Sequence, residues 1–216
     1  MARRKRGHPA LWPSAGRVPY WSHARCARVS VVVVSTFLAV LVLVAFGAVL
    51  LTALLVAADR SRLLPGATDA LRAVIGPGAL WLAAIVATVA TAGSLYFSEV
   101  AGFVPCALCW YQRIAMYPLV VVLGIAAVRG DVGVRRYVGP VAVIGAAISI
   151  YHIGVERLPG LPTGSCSLDA PCDLIWVERF GFITIPVMAL AGFLAILTLL
   201  FAYAGRGADP AAETLE

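Results

Sequence analysis

Five stretches of this chain, Val29–Ala58, Leu80–Phe97, Ile114–Val128, Tyr137–Val155 and Ile183–Tyr203, contain no Asp, Glu, Lys or Arg. A helix needs roughly 20 apolar residues to cross the hydrocarbon core of a bilayer. Inside that core every backbone N–H and C=O must find a partner within the protein, which a helix supplies by itself. The five runs therefore read as membrane-spanning α-helices. Ile114–Val128 is short alone and reaches full length if its helix begins near Cys109. Composition agrees: 61% of the 216 residues are hydrophobic and 13% charged, where soluble domains carry about a quarter charged residues. Pro118, Pro140 and Pro186 fall inside the spans, where neighbouring helices can satisfy the carbonyls that proline leaves free.

The net charge of +6 is confined. Residues 1–28 hold Arg3, Arg4, Lys5, Arg6, Arg17, Arg25 and Arg28 and no acid, while the rest of the chain has ten basic and eleven acidic residues. A basic tail beside a hydrophobic run is a topology or anionic-lipid signal, so membrane lipid and not nucleic acid is the expected partner. The short turn Arg129–Arg136 (RGDVGVRR) belongs on the cytoplasmic side by its arginines. The span before it starts beside Cys106 and Cys109, and the span after it ends shortly before Cys166 and Cys172. A hairpin with its turn inside places both cysteine pairs at the outer face. The N-terminus conflicts with this placement. If Val29–Ala58 spans with its basic tail inside, every later segment flips; if Asp59–Gly78, with Arg60, Arg62 and Arg72, is inside, the tail is outside. The second placement lets two arginine-bearing loops agree and is the one expected.

Cys106 and Cys109 form a C-x-x-C within VPCALCWYQR, and Cys166 and Cys172 a second pair within GSCSLDAPCD; Cys26 is left over in the tail. A haem-attachment site would need histidine after the second cysteine, where Trp110 stands. A thioredoxin motif would lie between a strand and a helix, not between two spans. A zinc site could draw four thiolates from both pairs. A membrane redox pair is the remaining reading, and the chemistry favours it. A helix starting near Cys109 would offer that sulfur its unpaired N–H groups and its dipole, and Arg113 follows one turn later on the same face. These are two usual causes of a depressed cysteine pKa. The planar donors of Arg113 could also hold a quinone carbonyl, or the residue could serve as an interfacial anchor. His152, near the outer end of its span, could supply a proton to a reduced quinone or merely bond a carbonyl. The second pair sits in the Pro- and Gly-rich loop Gly154–Gly181, suited to offering a disulfide to a soluble partner or to closing a static staple. Asp173–Gly181 (DLIWVERFG) reads as a short interfacial amphipathic segment.

PCALCWYQRIAMYPL, the RGDVGVRR turn, the outer loop with its second cysteine pair and the last span opening ITIPVMAL together resemble the DsbB/BdbC family over about Leu80–Tyr203. The resemblance implies an all-α membrane protein: a four-helix transmembrane bundle (80–203), here with an additional N-terminal hydrophobic helix (29–58), a basic tail (1–28), a polar connector (59–79) and a C-terminal tail (204–216). It also implies a multi-pass cell-membrane enzyme that oxidises an extracytoplasmic thioredoxin-fold dithiol protein of the DsbA kind and passes the electrons to quinone, ubiquinone or menaquinone. By position Cys106–Cys109 would be the quinone-coupled disulfide, with Cys109 nearer the quinone and Arg113 assisting. In Cys166–Cys172, Cys166 would meet the partner and Cys172 would relay to Cys106. The spacing of the second pair departs from the family's best-known members, which leaves the order of attack open. In the vitamin K epoxide reductase family the loop pair precedes the C-x-x-C, the reverse of the order here. The competing reading is a non-enzymatic membrane protein whose four cysteines hold zinc.

Overall fold

The computed structural model describes residues 20–158, 166 and 170–204, with side-chain surroundings from Ser30 onward. Most of the basic tail, the surroundings of Cys26 and the C-terminal tail lie outside the described residues. The helices are α1 (Tyr20–Arg60), α2 (Ala67–Ile75), α3 (Ala79–Leu95), α4 (Ala107–Arg129), α5 (Arg135–Arg157) and α6 (Ile185–Thr198). One π-helical turn extends α3 to Val100 and another extends α6 to Tyr203. Five segments are long and apolar enough to cross a membrane: Ser30–Arg60, Ala67–Val100, Ala107–Arg129, Val132–Arg157 and Ile185–Tyr203. The protein is an all-α membrane protein with an extra N-terminal helix.

Local chemistry explains the boundaries that frame the site. Pro105 has no N–H to give a helix, and the residue after it, Cys106, takes an extended conformation (φ −73°, ψ 173°) as the N-cap of α4. Gly130 closes α4 with φ 65°, a left-handed conformation that suits glycine. Pro118 and Pro140 are interior to α4 and α5, whereas Pro186 falls in the first turn of α6, where its missing N–H would be unpaired anyway. Two segments carry structure that the sequence reading did not specify. The connector 59–79 contains a helix, α2, preceded by a turn in which Asp59 accepts from the Gly66 N–H at 3.0 Å and from the Thr68 hydroxyl. Asp173–Gly181 forms no helix; it turns into an antiparallel bridge between Arg179 and Ile183. Trp176 stacks on Phe103 at 5.0 Å between ring centroids, so aromatic packing rather than helical periodicity holds it.

Helices α3, α4, α5 and α6 pack in a ring, and α1 lies outside it against α6. The ring core is aliphatic, built on Leu119, Leu123, Val138, Ile196, Leu200 and the ring of Phe193. Small residues bring the helices close, as is usual in lipid: a methyl group added at Gly145 would run into Phe193. Large apolar side chains such as Val33, Val44, Leu50, Ile114 and Ile144 are left exposed, which a lipid environment accepts. At one end of the bundle Leu71 and Ile75 of α2, Val132 of the arginine-bearing turn and Tyr203 pack together. The two arginine-bearing loops thus share an end, and the cysteines occupy the other. Helix α1 begins at the cysteine end, where Arg179 Nε donates to Ser35 Oγ at 2.8 Å and Tyr96 donates to Ser30 Oγ at 3.1 Å.

Candidate redox site

The cap that opens α4 is a sulfur. Cys106 Sγ accepts the backbone N–H of Cys109 at 3.4 Å, so the helix N-terminus acts on Cys106 and not, as the sequence suggested, on Cys109. The reason is the start of α4 at Ala107, which puts Cys109 inside the first turn. The two sulfurs are free thiols 3.3 Å apart. His152 Nε2, from α5, lies 3.7 Å from Cys106 Sγ and 3.1 Å from the carbonyl oxygen of Cys172. A carbonyl only accepts, so Nε2 carries the hydrogen and shares it between that oxygen and the sulfur. Nδ1 is then the basic nitrogen, and it is buried without a hydrogen-bond partner. The hydrogen bond with Cys109, aided by His152 and opposed by burial, holds the Cys106 thiol down to about 4, far below the usual value near 8.5. Cys106 is poised as a thiolate.

Cys166 and Cys172 are joined by a disulfide with Cα atoms 5.8 Å apart. Cys172 is buried and packs with Cys106, Leu108 and Val155, while Cys109 and Cys166 border the same cluster. Two cysteine pairs distant in sequence therefore form one sulfur patch. Glu156, one turn beyond His152, accepts from Thr184 Oγ1 at 2.6 Å and ties α5 to the start of α6. Arg157 Nη2 donates to Glu178 Oε1 at 2.8 Å and ties the end of α5 to the segment after Cys172. Glu99 accepts from Ser98 at the exposed end of α3.

On the far side of the thiol pair is a cavity of about 590 Å³ among α1, α3, α4 and α6, lined almost wholly by apolar side chains. Cys109, Gln112 and Arg113 are at its cysteine end. Arg113 is fixed there by Nε donating to Ser94 Oγ and Nη2 donating to the Ser94 carbonyl, both at 3.0 Å, and its guanidinium lies 5.4 Å from the Trp110 ring centroid. Tyr117 donates to the same Ser94 hydroxyl at 3.1 Å. Gln112 Nε2 donates to Ser149 Oγ at 3.1 Å, a buried link between α4 and α5. Sequence reasoning missed Ser94, Gln112 and Ser149. Gln112 stood in the quoted motif as an amide in an otherwise apolar turn; a serine in an Ala- and Gly-rich span gives no comparable signal. His152 does not line the large cavity; it faces the sulfurs.

The family model described as "Disulfide bond formation protein DsbB" matches residues 77–170. "Disulfide bond formation protein C" of Bacillus subtilis is 47% identical over 131 residues, covering 60% of this chain and 95% of the relative. The chain belongs to the DsbB/BdbC family. "Probable disulfide formation protein C 1" of Bacillus anthracis is 47% identical over 114 residues, 52% of this chain and 82% of the relative. The "Probable disulfide formation protein" of Oceanobacillus iheyensis is 45% identical over 122 residues, 56% of this chain and 82% of the relative. No solved structure matches. As a DsbB/BdbC member the chain is a membrane disulfide bond formation protein with an oxidoreductase role. The match with the DsbB model takes in both cysteines of C-x-x-C, Arg113, His152 and Cys166, and it begins after α1 and α2.

The zinc alternative meets a chemical obstacle in this geometry. Zinc takes cysteine as thiolate, and Cys166 and Cys172 are tied in a disulfide. Cys106, Cys109 and His152 remain as a trio whose ligand atoms lie within 4.8 Å of one another.

Proposed function

We propose that this protein reoxidises an extracytoplasmic thioredoxin-fold dithiol oxidase and passes the electrons to a membrane quinone, so generating disulfides for exported proteins. The observation that carries the reading is contiguity. A loop disulfide packs on a thiol pair, and the second sulfur of that pair, Cys109, borders an apolar cavity that also holds a fixed arginine. The residues fit a quinone: apolar walls suit its ring and tail, and Arg113 offers a charge-assisted donor.

The exchange proceeds in electron pairs. A partner thiolate attacks Cys166, Cys172 leaves as thiolate, and the partner's second thiol closes its own disulfide, leaving Cys166 and Cys172 reduced. With Cys106–Cys109 oxidised, Cys172 attacks Cys106 and Cys109 leaves. Cys166 then displaces Cys106 and restores the loop disulfide. A loop disulfide beside a helix dithiol is the product of that exchange, and it is the state described here. With Cys106 already a thiolate, the pair must next release two electrons and one proton, that of the Cys109 thiol, as the two sulfurs rejoin. A quinone held against the apolar walls beside Arg113 and Cys109 would supply the two-electron acceptor. Cys109 faces that cavity, Arg113 favours negative charge on an oxygen at its wall, and His152 Nε2–H holds the Cys106 thiolate while Nδ1 can take up a proton.

The test is direct. Full-length protein, a reduced thioredoxin-fold dithiol protein and a quinone should yield one quinol per partner disulfide, and Cys106→Ala should abolish both products. An unchanged rate in Cys106→Ala overturns the reading. Labelling of the reduced cysteines in intact cells by a membrane-impermeant maleimide tests their extracytoplasmic side. The cysteine–histidine trio supports a second reading, a metal site. Stoichiometric zinc in purified protein, lost on Cys106→Ala or His152→Ala, would favour it over the first.

A further inference from the structure

Helix α1 precedes the residues matched by the family model, yet it builds one wall of the cavity that reaches Cys109. Leu38, Leu41, Ala45, Ala48, Val49 and Thr52 face the cavity at three- and four-residue intervals, one stripe of a helix. From Leu38 to Thr52 the stripe runs about 21 Å at 1.5 Å per residue. Its far end meets Ile75 and Tyr203, close to the arginine-bearing loops, and its near end lies toward Phe103, Cys109 and Arg113. The cavity is therefore long and apolar along its middle, with Arg113, Gln112 and Cys109 at one end and the paired hydroxyls of Thr52 and Tyr203 at the other.

Helix α1 is fastened at both ends and plain in the middle. Arg179 and Tyr96 hold Ser35 and Ser30 at the cysteine end, and Thr52 shares a hydrogen bond with Tyr203 OH at the other. Between these clamps Ala45 and Ala48 present small side chains to the cavity. Leu41 and Val44 of α1 and Leu82 and Ile85 of α3 line the cavity and are also exposed on the protein surface. The space therefore opens sideways, between α1 and α3, to the lipid.

We propose that α1 forms the tail-binding wall of the quinone site, holding the polyprenyl chain of a membrane quinone in a channel that opens to lipid between α1 and α3. The proposal rests on the quinone-dependent reading above and adds the subsite that would distinguish quinones by tail. The occupant follows from continuity. A phospholipid acyl chain fits apolar walls, but only a quinone joins such a chain to a ring that belongs beside a cysteine and an arginine.

The experiment compares a polyprenyl quinone with a tail-less naphthoquinone as acceptors for the full-length protein. Wild type should show a lower KM for the tailed acceptor. Ala45→Trp and Ala48→Trp, which fill the channel, should raise KM for the tailed acceptor about tenfold more than for the tail-less one. Leu50→Trp, on the exposed face of α1, is the control and should alter neither. Equal effects of Ala45→Trp and Ala48→Trp on both acceptors, or none, overturn the tail wall while leaving quinone dependence intact. Failure of wild type to reduce either acceptor overturns the parent reading instead. If the tryptophan variants do not fold, unsubstituted protein provides the test. A quinone with a photoreactive group on its tail should label α1 between Leu38 and Thr52, and excess unlabelled quinone should suppress the labelling. Labelling that spares α1, or that phospholipid competes and quinone does not, overturns the proposal.

Discussion

The two cysteine pairs are held in opposite ways. Cys106 and Cys109 sit on the first turn of a long helix, with backbone N–H, imidazole and a neighbouring thiol all directed at one sulfur. Cys166 and Cys172 lie outside the described helices, joined to each other, with Cys172 only 2% exposed and Cys166 more open. A helix terminus fixes a sulfur's position and favours its charge; an irregular segment lets a disulfide be approached and rearranged. One pair sits where a thiolate is favoured, the other is a formed disulfide, and the proposed exchange would use both. Their contact through Cys172 and Cys106 makes the difference usable, because neither pair need travel far.

The largest effect should come from separating the pairs. Cys166→Ala should abolish oxidation of a protein partner while leaving quinone reduction driven by a small dithiol, which can reach Cys106–Cys109 directly. Cys106→Ala should lose both, measured as quinol formed. Survival of partner oxidation in Cys166→Ala would show that the loop pair is a staple. Next in size is Arg113→Ala. Losing a hydrogen bond to a charged group costs about 1.5–3 kcal/mol, or roughly ten- to a hundredfold in rate. The loss should fall on quinone reduction and spare single-turnover oxidation of the partner; Arg113→Lys should recover only part, lacking the planar fork. Equal loss in both half-reactions would make Arg113 a structural anchor through Ser94.

A pH profile sharpens the contrast further. With its pKa near 4, reduced Cys106 should be alkylated as a thiolate from mildly acidic pH upward, and reactivity should fall only as pH drops through that value. His152→Phe removes a donor that favours the charged form, so the midpoint should move upward by on the order of one pH unit. A midpoint unmoved would mean that the cap and Cys109 suffice. The smallest effect belongs to Glu178→Gln, which breaks the pair with Arg157 at the edge of the loop. Both side chains are about two-fifths exposed, and such pairs contribute about 0.2–1 kcal/mol. Thermal stability should change barely, and partner oxidation by no more than about threefold.

The spans were legible because lipid imposes a simple rule on sequence, and charge-free runs obey it. The C-x-x-C and Arg113 were legible because their order along α4 is local. What escaped depends on neighbours. The exchange of Cys109 for Cys106 as the capped sulfur turned on a helix start two residues earlier than expected. Ser94 holds Arg113 from another helix, and nothing in its own surroundings in the chain announces that. His152 reads from sequence as a polar group at membrane depth; only the fold sets it between Cys106 and the Cys172 carbonyl. The stacking of Trp176 in Asp173–Gly181 on Phe103 also joins positions far apart in the chain, and the amphipathic pattern of that segment does not announce it.

The attachment of α1 bears on how the molecule is assembled. Its polar clasp to the last helix, Thr52 to Tyr203, joins positions 151 residues apart, and its apolar seam meets Ile183, Val187 and Ala191. During synthesis α1 enters the bilayer before those residues exist, and Ser35 and Thr52 can meanwhile bond back to its own carbonyls, as they still do in the folded protein. This seam therefore belongs to the last stage of chain synthesis, because α6 is the final helix to be made.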